Sequence, residues 1–149
     1  MKTKIKSLLN KKNKNKIVCL TSYSKTTSKI LDKYCDLILV GDSLANVLYG
    51  MKTTHNLKLE TMINHAKSVT LGAKKSLVVV DMPKDSYKNP KQALKNAKHI
   101  MKETGCDGIM VGRGAMKNPW SLLEIANAFQ QRLPPVITSE DKKLVYFQF

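Results

Sequence analysis

The fold is decided by two stretches of sequence, Leu37-Ile38-Leu39-Val40-Gly41-Asp42-Ser43 and Leu77-Val78-Val79-Val80-Asp81. Each begins with an unbroken run of four apolar residues, and an aspartate follows within two positions. Runs of this length and composition are typical of parallel strands that are buried on both faces. The two stretches therefore predict neighbouring strands of a parallel sheet, with a carboxylate at the carboxyl end of each.

Strand and helix signals alternate along the rest of the chain. Further strands are predicted at 17–20 and 109–111. One helix is predicted to close at Gly72, and another runs from the Asn89 cap to Gly105. Four strand–helix units in succession predict an α/β fold. We expect a partial (β/α) TIM-type barrel, because 149 residues are fewer than the roughly 200 that a complete barrel needs.

The charge is strongly positive and unevenly distributed. Lysine and arginine number 26 against 11 acidic residues, a net charge of +15, but only Arg113 and Arg132 are arginine. Arginine is the residue that most often reads nucleic acid, so the composition argues against a nucleic-acid partner. Residues 1–16 hold seven of the lysines and no acid, which predicts a basic disordered tail. A weak polyanion-binding arm is the alternative reading of this tail.

Cysteine usage and hydropathy indicate a cytoplasmic protein without a membrane segment. The three cysteines, Cys19, Cys35 and Cys106, are odd in number and show no CxxC spacing, which fits a reducing compartment. Cys106 is interpreted as an inert buried thiol. Apolar runs stay well below the roughly 18 residues that a membrane helix needs.

Polar residues follow each predicted strand, at what should be one rim of the sheet. They are Thr21-Ser22, Asp42-Ser43, Asp81 and Gly112-Arg113-Gly114. Neighbouring strands lie about 5 Å apart, so Asp42 and Asp81 would repel each other unless a cation lay between them. Mg²⁺ suits a pair of carboxylates that is completed by substrate oxygens and water. The alternative is that the aspartates are ordinary turn or capping residues.

Residues 17–107 resemble the N-terminal half of ketopantoate hydroxymethyltransferase. The resemblance lies in Val40-Gly41-Asp42-Ser43-Leu44, in Met62-Ile63-Asn64-His65 and in Val79-Val80-Asp81-Met82-Pro83. It implies transfer of a one-carbon unit from 5,10-methylenetetrahydrofolate to 3-methyl-2-oxobutanoate, in pantothenate biosynthesis. It further implies that Asp42 and Asp81 are ligands of Mg²⁺, and that Asp42, Ser43 and Asp81 bind the 2-oxo acid. In that family the metal acts as a Lewis acid that acidifies the C3 proton of the substrate.

The chain departs from the family pattern at its fourth strand. A Lys-Leu-Glu-Gly-Gly segment is expected there, in which Lys touches substrate and Glu approaches the metal. The aligned residues are Met110, Val111, Gly112, Arg113 and Gly114. The family's general base lies beyond the part that this chain resembles, so no catalytic residue is assigned. We expect a truncated and impaired hydroxymethyltransferase, and whether it is an enzyme at all stays open.

The C-terminal segment, about residues 106–146, resembles the last strand and helix of a different family, the tRNA-dihydrouridine synthases. The specific part of the match runs from Gly108 to Trp120. Within it, Asn118 and Pro119 predict the start of a helix. It implies that Gly112, Arg113 and Gly114 form a turn that binds the phosphate of flavin mononucleotide (FMN). The predicted divisions are therefore 1–16, 17–107 and 108–149. A natural fusion, a decayed gene and an assembly artefact all fit this join, and an FMN-binding fragment or a non-functional remnant is the alternative function.

Three further expectations concern packing and assembly. His65 and Trp120 are interpreted as packing residues rather than as a metal ligand and a base-stacking platform. Four parallel strands cannot close a barrel that normally takes eight, so two sheet edges should stay open. An inward apolar face, with candidates Val18, Leu20, Ile38 and Val79, should be half uncovered. These features predict a homo-oligomer.

Overall fold

The computed structural model describes residues 2–133 as one parallel sheet covered by helices. The four strands are β1 (Cys19–Thr21), β2 (Leu37–Val40), β3 (Leu77–Asp81) and β4 (Gly108–Met110). They lie side by side in chain order and all pair in parallel. The predicted fold class, a partial (β/α) barrel with about four units, is confirmed.

Seven helices connect and flank the strands of the described chain. They are α1 (Lys2–Lys11), α2 (Lys25–Leu31), α3 (Leu44–Val47), α4 (Leu59–Gly72), α5 (Pro90–Thr104), α6 (Gly112–Lys117) and α7 (Ser121–Phe129), with a 3-10 turn at Thr54–Asn56. Helix α5 begins and ends as its sequence predicts. The Asn89 side chain accepts a hydrogen bond from the Gln92 N–H, and Gly105 takes a left-handed conformation with φ of 67°.

The two faces of the sheet differ in burial. Ile38, Val40, Val78 and Val80 are almost fully buried against α4 and α5. The alternate residues Leu39 and Val79 point to the opposite face and are only half-buried. The prediction that Ile38 and Val79 share the inward face is therefore wrong, because Ile38 pairs with Val78 and successive strand residues point to opposite sides. Val18 and Leu20, at the sheet edge, are exposed.

The first residues of the chain are helical, in contrast to the predicted disordered tail. Helix α1 is held by two lysines: Lys4 Nζ lies 3.0 Å from Asp107 Oδ2, and Lys11 Nζ lies 2.6 Å from Asp36 Oδ1. Both aspartates directly precede strands. The local composition of the tail is polar, and its acidic partners lie far along the sequence. The sequence of residues 1–16 alone therefore does not predict these long-range ion pairs.

The chain after β4 forms two short helices where one was predicted. Helix α6 spans Gly112–Lys117, so Asn118 ends a helix instead of beginning one. Its side-chain oxygen accepts a hydrogen bond from the Trp120 N–H at 3.2 Å, and α7 starts at Ser121. Residues 134–149, the remainder of the predicted third division, lie outside the described residues. Among residues 2–133, no helix combines the length and the apolar character that crossing a bilayer requires.

Candidate metal and substrate site

The carboxyl ends of β2 and β3 bring Asp42 and Asp81 together. Val40 is paired with Val80 in the sheet, so the two aspartates follow neighbouring positions on adjacent strands. The Asp42 side chain is mostly buried, with 14% of its surface exposed, and Asp81 is half-buried. Both lie at the rim where parallel α/β folds carry their chemistry. The sequence predicted this pairing.

The surroundings of the pair disfavour the charge of the Asp81 carboxylate. Burial raises the pKa of Asp81 to about 6, and the neighbouring Asp42 carboxylate adds to the rise. Backbone N–H groups of Asp42 and Met82 and the positive charge of Arg113 oppose the increase without cancelling it. An added cation would stabilise the ionised form of Asp81.

Arg113 reaches the site from helix α6, in a role that the sequence did not indicate. Its guanidinium Nη2 donates to Asp42 Oδ2, and Nη1 donates to Thr54 Oγ1 at 2.8 Å. Burial lowers the pKa of Arg113, but the Asp42 carboxylate and the Tyr87 hydroxyl outweigh this and raise it. The arginine therefore stays charged, and it joins the rim of β4 to the rim of β2.

Ser43 and His65 belong to a hydrogen-bonded group beside Asp42. The Ser43 hydroxyl lies 2.8 Å from the Tyr23 hydroxyl. His65 Nδ1 lies 2.7 Å from the Tyr23 carbonyl oxygen, and its Nε2 lies 3.0 Å from the Tyr49 hydroxyl. Both ring nitrogens of His65 thus have partners, which agrees with a packing role. Sequence reasoning did not predict the contacts of Tyr23 and Tyr49 with His65, because these residues are far apart in sequence.

A basic cavity opens beside Arg113. Its volume is about 270 Å³, and one side is formed by helix α6. The charged side chains in its wall are mostly basic, with Asp85 as the acidic exception. The lining residues are His55, Lys84, Asp85, Tyr87, Lys88, Arg113, Gly114 and Lys117. A cavity with this lining is electrostatically suited to an anion.

The predicted phosphate-binding residues lie in a helical turn, not in a loop. Gly112, Arg113 and Gly114 form the start of α6, which has six residues. A Cβ atom at Gly114 would lie 2.7 Å from the Tyr87 ring, so this glycine permits close packing there. The Arg113 side chain is turned toward Asp42. Phosphate or FMN binding by these three residues stays a prediction.

The donor set suits a hard divalent cation that keeps several waters. Asp42 and Asp81 supply two carboxylates, and Ser43 supplies a hydroxyl close by. Within residues 2–133 no group of three or more His, Cys, Asp or Glu side chains could hold a metal ion. Mg²⁺ fits such a site, since it is commonly held by one or two carboxylates with water and substrate oxygens.

Parallel strand–helix units with polar residues on the carboxyl rim define this chain as part of a β/α barrel protein. The solved structure of oxaloacetate acetylhydrolase supports the fold: it superposes with a TM-score of 0.56 at 17% identity, over 73% of this chain and 38% of that one. The family model of ketopantoate hydroxymethyltransferase matches residues 2–135. The chain belongs to this family, as the resemblance predicted.

Curated relatives carry the name 3-methyl-2-oxobutanoate hydroxymethyltransferase. The Pelagibacter ubique protein is 53% identical over 114 residues, which are 76% of this chain and 44% of the relative. The Anaplasma marginale protein (strain Florida) is 50% identical over 104 residues, which are 70% of this chain and 38% of the relative. The chain thus spans less than half the length of these relatives. The family match runs across the division predicted at residues 107 and 108, and that division stays a prediction.

Proposed function

We propose that the chain is a ketopantoate hydroxymethyltransferase-like protein that binds Mg²⁺ and 3-methyl-2-oxobutanoate at Asp42 and Asp81. The observation that carries the proposal is the register of β2 and β3, which places both carboxylates at one rim. Relatives at about half identity are named for this substrate, which supports the same assignment. The co-substrate would be 5,10-methylenetetrahydrofolate, and the product would enter pantothenate biosynthesis.

Each residue has a definite part in this proposal. Asp42 and Asp81 hold the cation, and Ser43, fixed by Tyr23, donates a hydrogen bond to the carboxylate of the 2-oxo acid. The bound ion would supply Lewis acidity, which lowers the pKa of the C3 proton next to the oxo group. The buried floor of β2 and β3 keeps the site low in dielectric, and this strengthens the carboxylate–cation attraction.

We further propose that turnover by this chain alone is slow. Residues Met110 and Gly112 stand where the resemblance expects Lys and Glu. Their side chains can neither neutralise a substrate carboxylate nor accept a proton. Loss of one general base typically lowers a rate roughly 10²–10⁴-fold. The proposed activity is therefore binding of the 2-oxo acid, with slow transfer of the one-carbon unit.

A ligand comparison tests the proposal. Binding of 3-methyl-2-oxobutanoate is measured by calorimetry with Mg²⁺ in excess, and again with EDTA. The matched control ligand is 3-methylbutanoate, which lacks the 2-oxo group and cannot chelate. We expect Mg²⁺-dependent binding of the oxo acid only. Equal binding of both ligands, or binding that ignores EDTA, would contradict the proposal.

Assembly and location are part of the same proposal. Strand β1 is an exposed edge, and Val18 and Leu20 are more than 40% exposed there. Exposed apolar edges drive pairing with another chain, so we propose a homo-oligomer. The free cysteines Cys19, Cys35 and Cys106 agree with a reducing, cytoplasmic setting. Light scattering would decide the assembly, and a monodisperse monomer would contradict it.

A further inference from the structure

The positively charged guanidinium of Arg113 lies at the candidate metal site. The Arg113 guanidinium donates to Asp42 Oδ2 with one nitrogen and to Thr54 Oγ1 with another, at 2.8 Å. The Asp42 carboxylate is the more buried partner, whereas 44% of the Arg113 side chain is exposed. The arginine therefore approaches the carboxylate from the solvent side, which is also the direction from which an ion would arrive.

We propose that Arg113 is a displaceable internal counter-ion that competes with Mg²⁺ for Asp42. The inference rests on the proposed function only in taking Asp42 as a ligand of the metal. It assigns Arg113 a role that differs from the phosphate-binding one predicted from the sequence. Arg113 is anchored in helix α6, so the position of that helix determines whether its side chain reaches Asp42.

Competition follows from charge. An ion bound at Asp42 Oδ2 would lie within a few ångströms of the guanidinium nitrogen that donates to the same oxygen, and the two positive charges would repel. An ion on Oδ1 would still lie within a few ångströms of a positive charge, and like charges at such distances repel. Binding of Mg²⁺ must therefore break the Arg113–Asp42 pair or weaken it.

A cavity lies beside Arg113, in the direction that its displaced side chain would take. Arg113 lines the cavity of about 270 Å³ next to the site, where the Asp85 carboxylate also lies. Asp85 is more than half exposed and is paired with Lys88 at 3.4 Å, an interaction that is weak at such exposure. A guanidinium that turned toward Asp85 would also face the lysines of this wall, so displacement costs the lost ion pair and adds that repulsion.

Calorimetric titration with Mg²⁺ alone tests the competition. The variants are Arg113→Gln, Arg113→Lys and the control Arg132→Gln, which removes an equal charge from an exposed position beyond α7. We expect the dissociation constant of Arg113→Gln to fall about two- to fivefold, as suits removal of one partly exposed ion pair. Arg113→Lys should lie between wild type and Arg113→Gln, and Arg132→Gln should match wild type.

A second measurement keeps the test independent of metal binding. In EDTA, Arg113→Gln should lower the melting temperature, because Asp42 and Asp81 lose a neutralising charge. In an Asp42→Asn background, the same substitution should leave the melting temperature unchanged. Equal losses in both backgrounds would overturn the inference. An Mg²⁺ affinity of Arg113→Gln that is equal to or weaker than that of wild type would also overturn it. The same holds if neither wild type nor Arg113→Gln binds Mg²⁺. If Mg²⁺ binds more tightly to Arg113→Gln but 3-methyl-2-oxobutanoate does not bind, the proposed function fails and the counter-ion role stands.

Discussion

The carboxylates at the two rims of the sheet differ in their hydrogen-bond partners and in the direction of their pKa shifts. At the N-terminal rim, Asp36 accepts from Lys11 Nζ at 2.6 Å and from the Val18 N–H at 3.0 Å. Asp107, on the same rim, accepts from Lys4 Nζ and from the Val78 N–H, each at 3.0 Å. These carboxylates are fully engaged in holding helix α1 and the strands together.

At the C-terminal rim, Asp42 is paired with Arg113, and the charge of Asp81 is disfavoured by its surroundings. Burial and the Asp42 charge raise the pKa of Asp81 to about 6, whereas Lys11 and the Val18 N–H lower the pKa of Asp36. Carboxylates on the N-terminal rim of a β/α barrel stabilise the fold, and those on the C-terminal rim are available for ligands. This difference supports the proposal that Asp36 and Asp107 are structural, whereas Asp42 and Asp81 bind a cation.

The largest expected effect comes from Asp32, below the N-terminal rim. Its carboxylate accepts from the backbone N–H groups of Lys74, Lys75 and Ser76 at 2.8–3.1 Å. Asp32→Ala should reduce the free energy of unfolding by about 1–3 kcal/mol, because these donors lose their acceptor. Urea denaturation measures it. Asp32→Asn keeps an acceptor oxygen and should lose less; equal loss would show that charge, not hydrogen bonding, matters here.

Asp81→Asn, on the opposite rim, should have the reverse sign. In EDTA at pH 7.5 it should raise the free energy of unfolding by about 1 kcal/mol or less, since partial exposure screens the carboxylate repulsion. Urea denaturation in the same buffer gives the comparison with Asp32→Ala. If Asp81→Asn lowered the free energy of unfolding, the carboxylates at both rims would stabilise the fold. That result would contradict the difference between the rims.

The pH dependence of the metal-free chain sharpens the same contrast. Asp81 has a folded pKa of about 6, above the unfolded value of 3.8, so it binds its proton more tightly in the folded chain. Its contribution to stability therefore rises as pH falls from about 6 toward 4. Asp32 and Asp36 have lowered pKa values, and their contributions are lost only as pH falls below 3.8. Melting temperatures of wild type and Asp81→Asn at pH 7, 6 and 5 should converge at pH 5.

The smallest effect should come from the lysines of helix α1. Lys4 is about a quarter exposed and pairs with Asp107, so solvent screens part of the interaction. Lys4→Gln should cost less than about 1 kcal/mol and should cost less still at high salt. Denaturation at low and high ionic strength measures this. A loss that does not change with salt would show that Lys4 acts through packing of its alkyl chain.

Much of the fold could be predicted because its signals are local. The apolar runs of β2 and β3 and the Asn89 and Gly105 boundaries of α5 each depend on a few adjacent residues. Helix α1 was missed because its ion pairs join residues far apart in sequence. Helix α6 was missed because its Gly-Arg-Gly start suggested a turn, whereas α7 begins three residues after the predicted start at Asn118.

The site was predictable to the extent that strand ends define it. Asp42 and Asp81 each follow a buried strand, so their meeting follows from parallel pairing alone. The reach of Arg113 to Asp42 depends on how α6 is oriented and on the length of one side chain. No spacing rule in the sequence encodes that contact. The Gly-Arg-Gly run suggested a phosphate turn, and the structure instead has a helical turn there.

Thermal unfolding with and without Mg²⁺ tests the central claim most directly, that Asp42 and Asp81 form a cation site. A ligand that binds only the folded chain stabilises it by about 2.7 kcal/mol at a hundredfold excess over its dissociation constant. We expect saturating Mg²⁺ at pH 7.5 to raise the melting temperature of wild type and to have a much smaller effect on Asp81→Asn. An equal rise in both proteins, or no rise in wild type, would contradict the account.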